Sequence, residues 1–319
     1  MPELPDVTSY VEALERHVGG RRLERIRLKS PFLLRSVEPP LAEAEGRTVR
    51  GARRIGKRIV LELNGDLFLV IHLMITGRLR WREPGCVIPK KRGLAAFDFE
   101  NGSILFTEEG SKTRASLHVV RGEGALADHD RGGLDVFAIG QEAFDAALTR
   151  GNHTLKRALC DPRSFSGIGN AYSDEILHHA RLSPLRLTQQ LEPDEIARLF
   201  ESTRATLRRW IERTREEVGD GFPEKVTAFR EGMAVPGRYK KPCPDCAAPI
   251  QRIAYADNEV NYCARCQTGG RILADRALSR LLKKDWPRSL DEWEQRLGGA
   301  ELLQKKHHKK QKREGRDRT

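Results

Sequence analysis

Apolar side chains near the N-terminus recur at the period of an α-helix. They are spaced three or four residues apart, which places them on one face of a helix. They are Val7, Tyr10, Val11, Leu14 and Val18. Pro5 and Asp6 suit the first turn of a helix, and the pair Gly19-Gly20 is a typical C-terminal stop. We therefore predict an amphipathic helix that begins near Pro5 and ends before Gly19.

The pattern then changes to short apolar runs of strand character. These runs are residues 23–28, 48–55, 58–63, 67–73, 94–99 and 103–107. Turn sequences, Asn64-Gly65-Asp66 and Asn101-Gly102, separate the later pairs as hairpins. A helix followed by a mostly antiparallel sheet system favours a β-sandwich with the helix packed on it.

Beyond a Gly- and Asp-rich stretch at 121–133, the periodicity becomes helical. We predict helices at 141–149, 154–160, 170–180 and 193–218. The composition shift near 121–135 therefore predicts a domain boundary. The fold class expected is α+β and multidomain, with an N-terminal helix and antiparallel β-sandwich before a helical domain.

The C-terminal region is more polar. A plausible amphipathic helix runs through Ile272, Leu273, Ala277, Leu278, Leu281 and Leu282. Residues 304–319 contain eight Lys or Arg and no apolar side chain, so we expect this tail to be disordered. It would serve either as a solubilising tail or as a nonspecific tether to a polyanion.

The charge balance favours a nucleic-acid partner. There are 57 Lys and Arg against 45 Asp and Glu, giving a net charge of +12 in 319 residues. The longest apolar run, 67–73, is interrupted by His72 and is too short to cross a bilayer, and no signal segment is evident. We expect a cytoplasmic monomer that binds nucleic acid, with no membrane contact and no small-molecule cofactor.

Four of the six cysteines form one group. Cys243 and Cys246 make a CxxC pair, and Cys263 and Cys266 make a second pair after sixteen intervening residues. Two such knuckles can fold as a β-hairpin ribbon and place four thiolates around one structural Zn²⁺. Disulfides or a redox CxxC are the alternatives, and matched pairs in a chain without a secretory signal favour the metal.

The chain begins Met1-Pro2-Glu3, and removal of Met1 would leave a free secondary amine beside a carboxylic acid. An α-amino group titrates near pH ~7.7–8.0, so a substantial fraction is unprotonated at neutral pH. A secondary amine that attacks an electrophilic carbon yields an iminium ion. The alternative is that Pro2 merely precedes a helix.

Taken together, the Pro2-Glu3 terminus, the glycine-bracketed helix start at 165–177 and the four-cysteine ribbon resemble the formamidopyrimidine-DNA glycosylase and endonuclease VIII family. The resemblance covers roughly residues 2–270. It implies that Pro2 attacks the sugar C1′ of a damaged nucleotide and that Glu3 handles protons at the sugar. It also implies that Lys57, in a turn between two strands, contacts phosphate or assists elimination.

The segment 165–177 resembles the helix-two-turn-helix of that family. Its glycines, Gly167 and Gly169, allow the backbone to approach a phosphate, and the following helix offers free N–H groups. Asn170 can add a side-chain donor to the same phosphate. The resemblance assigns these three residues and Tyr172 to DNA binding.

The sequence departs from the family at two places. Where the ribbon hairpin should present an arginine to DNA, five residues before Cys263, it has Asn258, and Arg252 or Arg271 are the candidates to replace it. The second place concerns the side chains that fill the gap left by a flipped base. Ile75 stands where the family has methionine, with Met74 one position earlier. The later loop, 107–114, has Arg114 but no aromatic residue.

These features predict a base-excision-repair DNA glycosylase with AP lyase activity on damaged double-stranded DNA, removing oxidised purines or oxidised pyrimidines. The alternative is a noncatalytic damage-binding protein on the same scaffold. We predict six segments: a catalytic β-sandwich domain (2–121), a helical domain (135–222), a linker with the base-pocket loop (223–242), a zinc ribbon (243–270), a helical extension (271–303) and the basic tail (304–319).

Overall fold

The computed structural model describes residues 1–110, 113–224, 226–227, 229–255, 258–274, 287–292 and 295. The first helix, α1 (Leu4–Val18), begins one residue earlier than predicted. Its start is stabilised by a capping box, in which the Glu3 N–H donates to the Asp6 carboxylate at 2.9 Å. The helix buries the predicted apolar face, including Val7, Tyr10 and Leu14.

Eight strands form two antiparallel four-stranded sheets. The strands are β1 (Leu23–Leu28), β2 (Val49–Ile55), β3 (Arg58–Leu63), β4 (Leu67–His72), β5 (Gly77–Arg82), β6 (Gly93–Phe99), β7 (Gly102–Glu108) and β8 (Ser116–Arg121). One sheet has the order β1-β6-β7-β5 and the other β2-β3-β4-β8. The main core lies between these sheets and includes side chains of α1. The predicted sandwich is confirmed.

The strands β5 and β8 were not predicted. Each lies at the edge of its sheet. In β5, arginines alternate with Leu79 and Trp81, so the strand lacks the continuous apolar run of a central strand. Edge strands carry polar and charged residues because only part of their surface is buried.

The helical region contains α2 (Glu123–Ala127), α3 (Gln141–Thr149), α4 (Leu155–Cys160), α5 (Asn170–His179) and α6 (Pro193–Val218). The four longer helices were predicted, two of them with the observed bounds. The short helix α2 was not, because five residues in a Gly- and Asp-rich segment provide no helical period. A second core surrounds Trp210, Tyr172, Phe144 and Phe165.

The ribbon consists of β9 (Ile250–Ala254), β10 (Glu259–Cys263) and α7 (Ala264–Thr268). The two strands pair antiparallel as a hairpin, as the cysteine spacing predicted. The ribbon docks on α5 because the Asn261 N–H donates to Asp174 at 2.8 Å. The Gln267 side chain also donates to the Leu182 carbonyl at 2.9 Å.

The predicted C-terminal helix lies mostly outside the described residues, as does the whole basic tail. Its first two apolar residues, Ile272 and Leu273, are buried in the ribbon core, but they are not helical. None of the described helices combines the length and the apolar character that a bilayer crossing requires.

Candidate active site and nucleic-acid interface

The Glu3 carboxylate lies at the N-terminus of α5. It is 3% exposed and accepts hydrogen bonds from the N–H groups of Gly169 at 2.8 Å, Ala171 at 2.9 Å and Tyr172 at 3.2 Å. The first N–H groups of a helix lack intrahelical partners, and the helix dipole favours negative charge there. The helix therefore fixes the position of Glu3.

The glycines before α5 make this contact possible. Gly167 has a φ of +85°, and its carbonyl accepts the Leu4 N–H at 2.9 Å. A Cβ on Gly169 would lie 2.5 Å from Glu3 Cδ and 2.5 Å from Lys57 Nζ. The predicted close approach at the helix start thus involves a carboxylate of the same chain, whereas the sequence suggested a phosphate.

One cavity of about 400 Å³ lies beside Glu3. Its wall includes Met1, Lys57, Met74 and Gly167. Lys57 reaches it from the turn between β2 and β3, where Gly56 has a φ of +60°. Pro2 is buried between Met1 and Glu3. The terminal amine, Glu3 and Lys57 are therefore brought to one place, although more than fifty residues separate Lys57 from the terminus.

The surroundings of the chain terminus favour a neutral amine. Burial lowers the pKa of the Met1 amino group, and the charges of Arg78 and Lys57 lower it further, against the opposing effect of Glu3 and Asp6. An ammonium ion loses hydration when it is buried, which destabilises the charged form.

Four basic residues of the cavity wall were not predicted. They are Arg58, His72, His129 and Arg131. Arg58 and His72 form a cross-strand pair in the β3–β4 hairpin, so the register of the predicted turn at 64–66 could have identified them. His129 and Arg131 lie in the Gly- and Asp-rich segment, where no sequence signal marks them.

Burial lowers the pKa of His72 to about 4, and the charges of Arg58 and Lys57 act in the same direction. His72 is therefore neutral at pH 7. Its imidazole can exchange hydrogen bonds in the cavity without adding a charge beside Lys57.

The four ribbon cysteines converge at one end of the hairpin. The Sγ atoms of Cys243 and Cys266 are 3.9 Å apart, those of Cys246 and Cys263 are 3.4 Å apart, and all four lie within 4.8 Å of one another. Tetrahedral zinc with Zn–S bonds of about 2.3 Å requires sulfur atoms about 3.8 Å apart. All four are free thiols, so this cluster fits one tetrahedral metal ion.

Comparison with known proteins identifies the family. Residues 1–114 match the formamidopyrimidine-DNA glycosylase N-terminal domain, and residues 136–220 match its H2TH domain. A formamidopyrimidine-DNA glycosylase of Heliobacterium modesticaldum is 31% identical over 286 residues, covering 84% of this chain and all of the relative. The chain belongs to the formamidopyrimidine-DNA glycosylase family. Members of this family are DNA glycosylases with AP lyase activity, and this chain is accordingly a base-excision-repair glycosylase.

Other relatives agree with this assignment. A formamidopyrimidine-DNA glycosylase of Deinococcus radiodurans is 29% identical over 290 residues, covering 84% of this chain and 97% of the relative. An uncharacterised formamidopyrimidine-DNA glycosylase-like protein of Mycobacterium tuberculosis is 39% identical over 153 residues, which are 46% of this chain and 95% of that protein. The Lactococcus lactis enzyme in complex with abasic-site DNA has the same fold, with a TM-score of 0.73 at 23% identity, covering 83% of this chain and 99% of that one.

In this glycosylase, the residues predicted to fill the gap left by a flipped base differ in their surroundings. Met74 has a φ of +53° and lines the cavity, whereas Ile75 is 50% exposed beside it. Arg114 is exposed, and its N–H donates to the Glu108 carboxylate at 3.0 Å. Ser111 and Lys112, in the same loop, lie outside the described residues.

Tyr172 contributes only its backbone N–H to the site of the glycosylase, and its side chain lies in the helical core. The ring is 1% exposed and packs edge-on against Trp210 in the helical core, with the ring centroids 6.1 Å apart. The Tyr172 N–H contacts Glu3, as described above. The resemblance assigned Tyr172 to DNA binding, but its ring is buried and is not available to contact DNA.

Neither candidate arginine occupies the expected place at the ribbon tip. Arg252 pairs with Glu259 at 3.3 Å and its guanidinium lies 4.5 Å from the centre of the Tyr239 ring. Arg271 follows α7, and its backbone pairs with that of Ser289 in an isolated antiparallel β-bridge. Asn258 remains exposed at the hairpin turn, where its carbonyl accepts the Tyr255 N–H at 2.7 Å.

Proposed function

We propose that this DNA glycosylase removes an oxidised base from double-stranded DNA through a covalent intermediate at Pro2 and then nicks the strand. The observation that carries the proposal is the position of Glu3. Three N–H groups hold its carboxylate near the chain terminus and beside Lys57, which lines the adjacent cavity together with Met1.

The proposed chemistry starts from the unprotonated Pro2 amine. Its nitrogen bonds to C1′ of the damaged nucleotide as the bond from C1′ to the base breaks, and the base leaves with a proton. The Glu3 carboxylate takes the proton of the attacking amine and passes it to the ring oxygen O4′ as the bond from C1′ to O4′ breaks, which leaves an iminium ion joining C1′ to Pro2. The departing base takes its proton from water.

Strand cleavage follows from the electron demand of the iminium ion. It acidifies the adjacent sugar carbon, a base removes that proton, and the 3′ phosphate leaves by elimination. Water then hydrolyses the iminium and restores the amine. In this proposal Lys57, whose ammonium lies near Glu3, neutralises the phosphate charge or assists elimination.

The four-cysteine cluster is proposed to hold one structural Zn²⁺. Cys243, Cys246, Cys263 and Cys266 would supply the thiolate ligands. When bound, the ion joins the start of the ribbon to β10 and α7, which stabilises the hairpin. The Nε2 atom of His178, on α5, lies 3.3 Å from Cys243 Sγ and links the cluster to the helical core.

The substrate class stays broad in this proposal. Structures of the Lactococcus lactis enzyme include complexes with DNA containing Fapy-dG and with DNA containing an oxidised pyrimidine. Both lesion classes are candidates here. We propose that the protein acts on damaged duplex DNA as a monomer in the cytoplasm.

Borohydride trapping tests the covalent step. Incubation with a duplex containing an abasic site should yield a reduced complex, and peptide mapping should locate the adduct at Pro2. The control is a variant with an N-terminal extension that blocks the Pro2 amine, which should bind the same duplex without forming that adduct. A wild-type protein with Met1 removed that binds the duplex, but neither nicks nor traps it, would favour the noncatalytic alternative.

A further inference from the structure

A second cavity, of about 520 Å³, lies between α4, the start of α5 and the ribbon hairpin. Its wall includes Arg157, Asn170, Tyr255 and Asn258. Cys160 and Pro162 line both this cavity and the one beside Glu3. The two cavities are therefore neighbours. A nucleotide in the cavity beside Glu3 would place the adjoining DNA backbone near the second cavity.

Two sources of positive potential in this region are already occupied. The Glu3 carboxylate takes three N–H groups at the start of α5. The Lys156 ammonium is 2.6 Å from the fully buried Asp174 carboxylate and also donates to the Asn170 carbonyl. Neither the helix start nor Lys156 can supply a full free charge to an anion in the second cavity.

Arg157, the next residue on α4, differs from Lys156 in this respect. Its side chain is exposed, and no described residue forms a hydrogen bond or ion pair with it. The side chains of Asn170 and Asn258 likewise have no hydrogen-bond partner among the described residues. The nearby carboxylate in the wall, Asp161, accepts the Arg163 N–H at 2.9 Å in its own turn.

We propose that Arg157, together with Asn170 and Asn258, binds a phosphate of the DNA backbone next to the nucleotide held beside Glu3. An arginine can present two N–H donors to phosphate oxygens, and the amides add neutral donors. Arg157 thus provides a cation from α4 at the surface where the ribbon hairpin presents Asn258. This inference rests on the proposed DNA substrate, because the anion is a DNA phosphate.

The test is equilibrium binding of Arg157→Ala to a duplex with a stable abasic-site analogue over a series of salt concentrations. Loss of one phosphate contact should weaken binding roughly tenfold at moderate salt and reduce the slope of log K against log salt by about 0.9. The single-turnover nicking rate is measured at saturating enzyme, which separates this loss of affinity from any change in the chemical step.

The matched control is Arg50→Ala. Arg50 is exposed at the far end of β2 from Lys57, and its guanidinium has no partner among the described residues. The Arg50→Ala substitution removes the same charge, and it should leave the DNA affinity and the slope of log K against log salt nearly unchanged. An equal loss in both variants would overturn the proposal, since it would reflect net charge alone.

A second substitution gives an independent check. Asn258→Arg introduces a cation from the opposite wall of the same cavity and should restore most of the affinity lost in Arg157→Ala, together with the salt slope. No rescue, or an unchanged slope in Arg157→Ala, would overturn the proposal. Binding is measured without chemistry, so a failure of Pro2 trapping would refute the proposed reaction and leave this result interpretable.

Discussion

At the scale of single residues, the decisive contact joins Glu3 to the start of α5. A helix N-terminus commonly receives a bound anion, but here the anion is a side chain of the same protein. The arrangement orients the carboxylate with three hydrogen bonds of 2.8 to 3.2 Å. It also requires that residue 169 has no side chain.

Gly169→Ala tests this requirement. The backbone φ of −137° is accessible to alanine, so the substitution acts mainly through the added methyl group, which would lie 2.5 Å from Glu3 Cδ. Displacement of Glu3 by about 1 Å should reduce the single-turnover excision rate about 100-fold. The rate is measured with enzyme in excess over a lesion-containing duplex.

The control for this change is Gly140→Ala. Gly140 also precedes a helix, has a φ of −85° and has open space where a Cβ would stand. Its excision rate should stay within about twofold of wild type. Similar losses in the two variants would contradict the steric explanation.

At the scale of elements, α1 is held by α6 and by the segment after it. Arg230 pairs with Asp6 at 2.7 Å and with Glu217 of α6 at 2.7 Å. Asp6 is 1% exposed and caps the helix start that carries Pro2 and Glu3. Burial raises the pKa of Asp6, and the charge of Arg230 opposes that effect.

Arg230→Met should destabilise the protein strongly. Removing one partner of a buried pair leaves the other charge buried and unpaired, which costs about 3–5 kcal/mol. The free energy of unfolding is measured by denaturant titration. Adding Asp6→Asn removes the unpaired charge but keeps an acceptor for the Glu3 N–H, so the double variant should recover part of the loss.

The matched control is Arg215→Met, which breaks an exposed ion pair that joins α6 directly to α1. Arg215 lies 2.6 Å from Glu12, and their side chains are 54% and 29% exposed. Exposed pairs contribute about 0–1 kcal/mol because water and salt screen them. If Arg215→Met lowered the free energy of unfolding as much as Arg230→Met, burial of the ion pair would not explain the effect of Arg230→Met.

At the scale of the whole molecule, the sandwich, the helical region and the ribbon each have an apolar core of their own among the described residues. The sandwich core includes residues of α1, the second core surrounds α5 and α6, and the third lies in the ribbon. The ribbon core is small, so its stability should depend on the proposed metal more than that of the sandwich.

Zinc removal by a chelator tests this difference. Amide hydrogen exchange should accelerate in β9 and β10, while β3 and β4 in the centre of their sheet keep their protection. Affinity for abasic-analogue DNA should fall at least tenfold, because Asn258 lies on the affected hairpin. Zinc addition should reverse both changes. Unchanged exchange in β9 and β10 would contradict a structural role for the metal.

Local patterns predicted much of the fold and part of the site. The apolar period of α1, the turn between β3 and β4 and the CxxC spacing depend on interactions between near neighbours, so the sequence determines them directly. The predicted domain boundaries stay predictions. The edge strands β5 and β8 were missed because their alternation with arginine and histidine obscures the apolar signal.

The sequence by itself determined the chemical types available, a terminal Pro2 beside Glu3 and two CxxC pairs, and its resemblance to the family added Lys57 to the predicted reacting residues. Only the tertiary structure decided what surrounds them. It assigned the N–H groups of α5 to Glu3, Lys156 to Asp174 and Arg252 to Glu259, and it left Arg157 unpaired in the second cavity among the described residues. These outcomes depend on contacts between distant segments, and the partner of a charged group over such separations is set by packing rather than by local sequence.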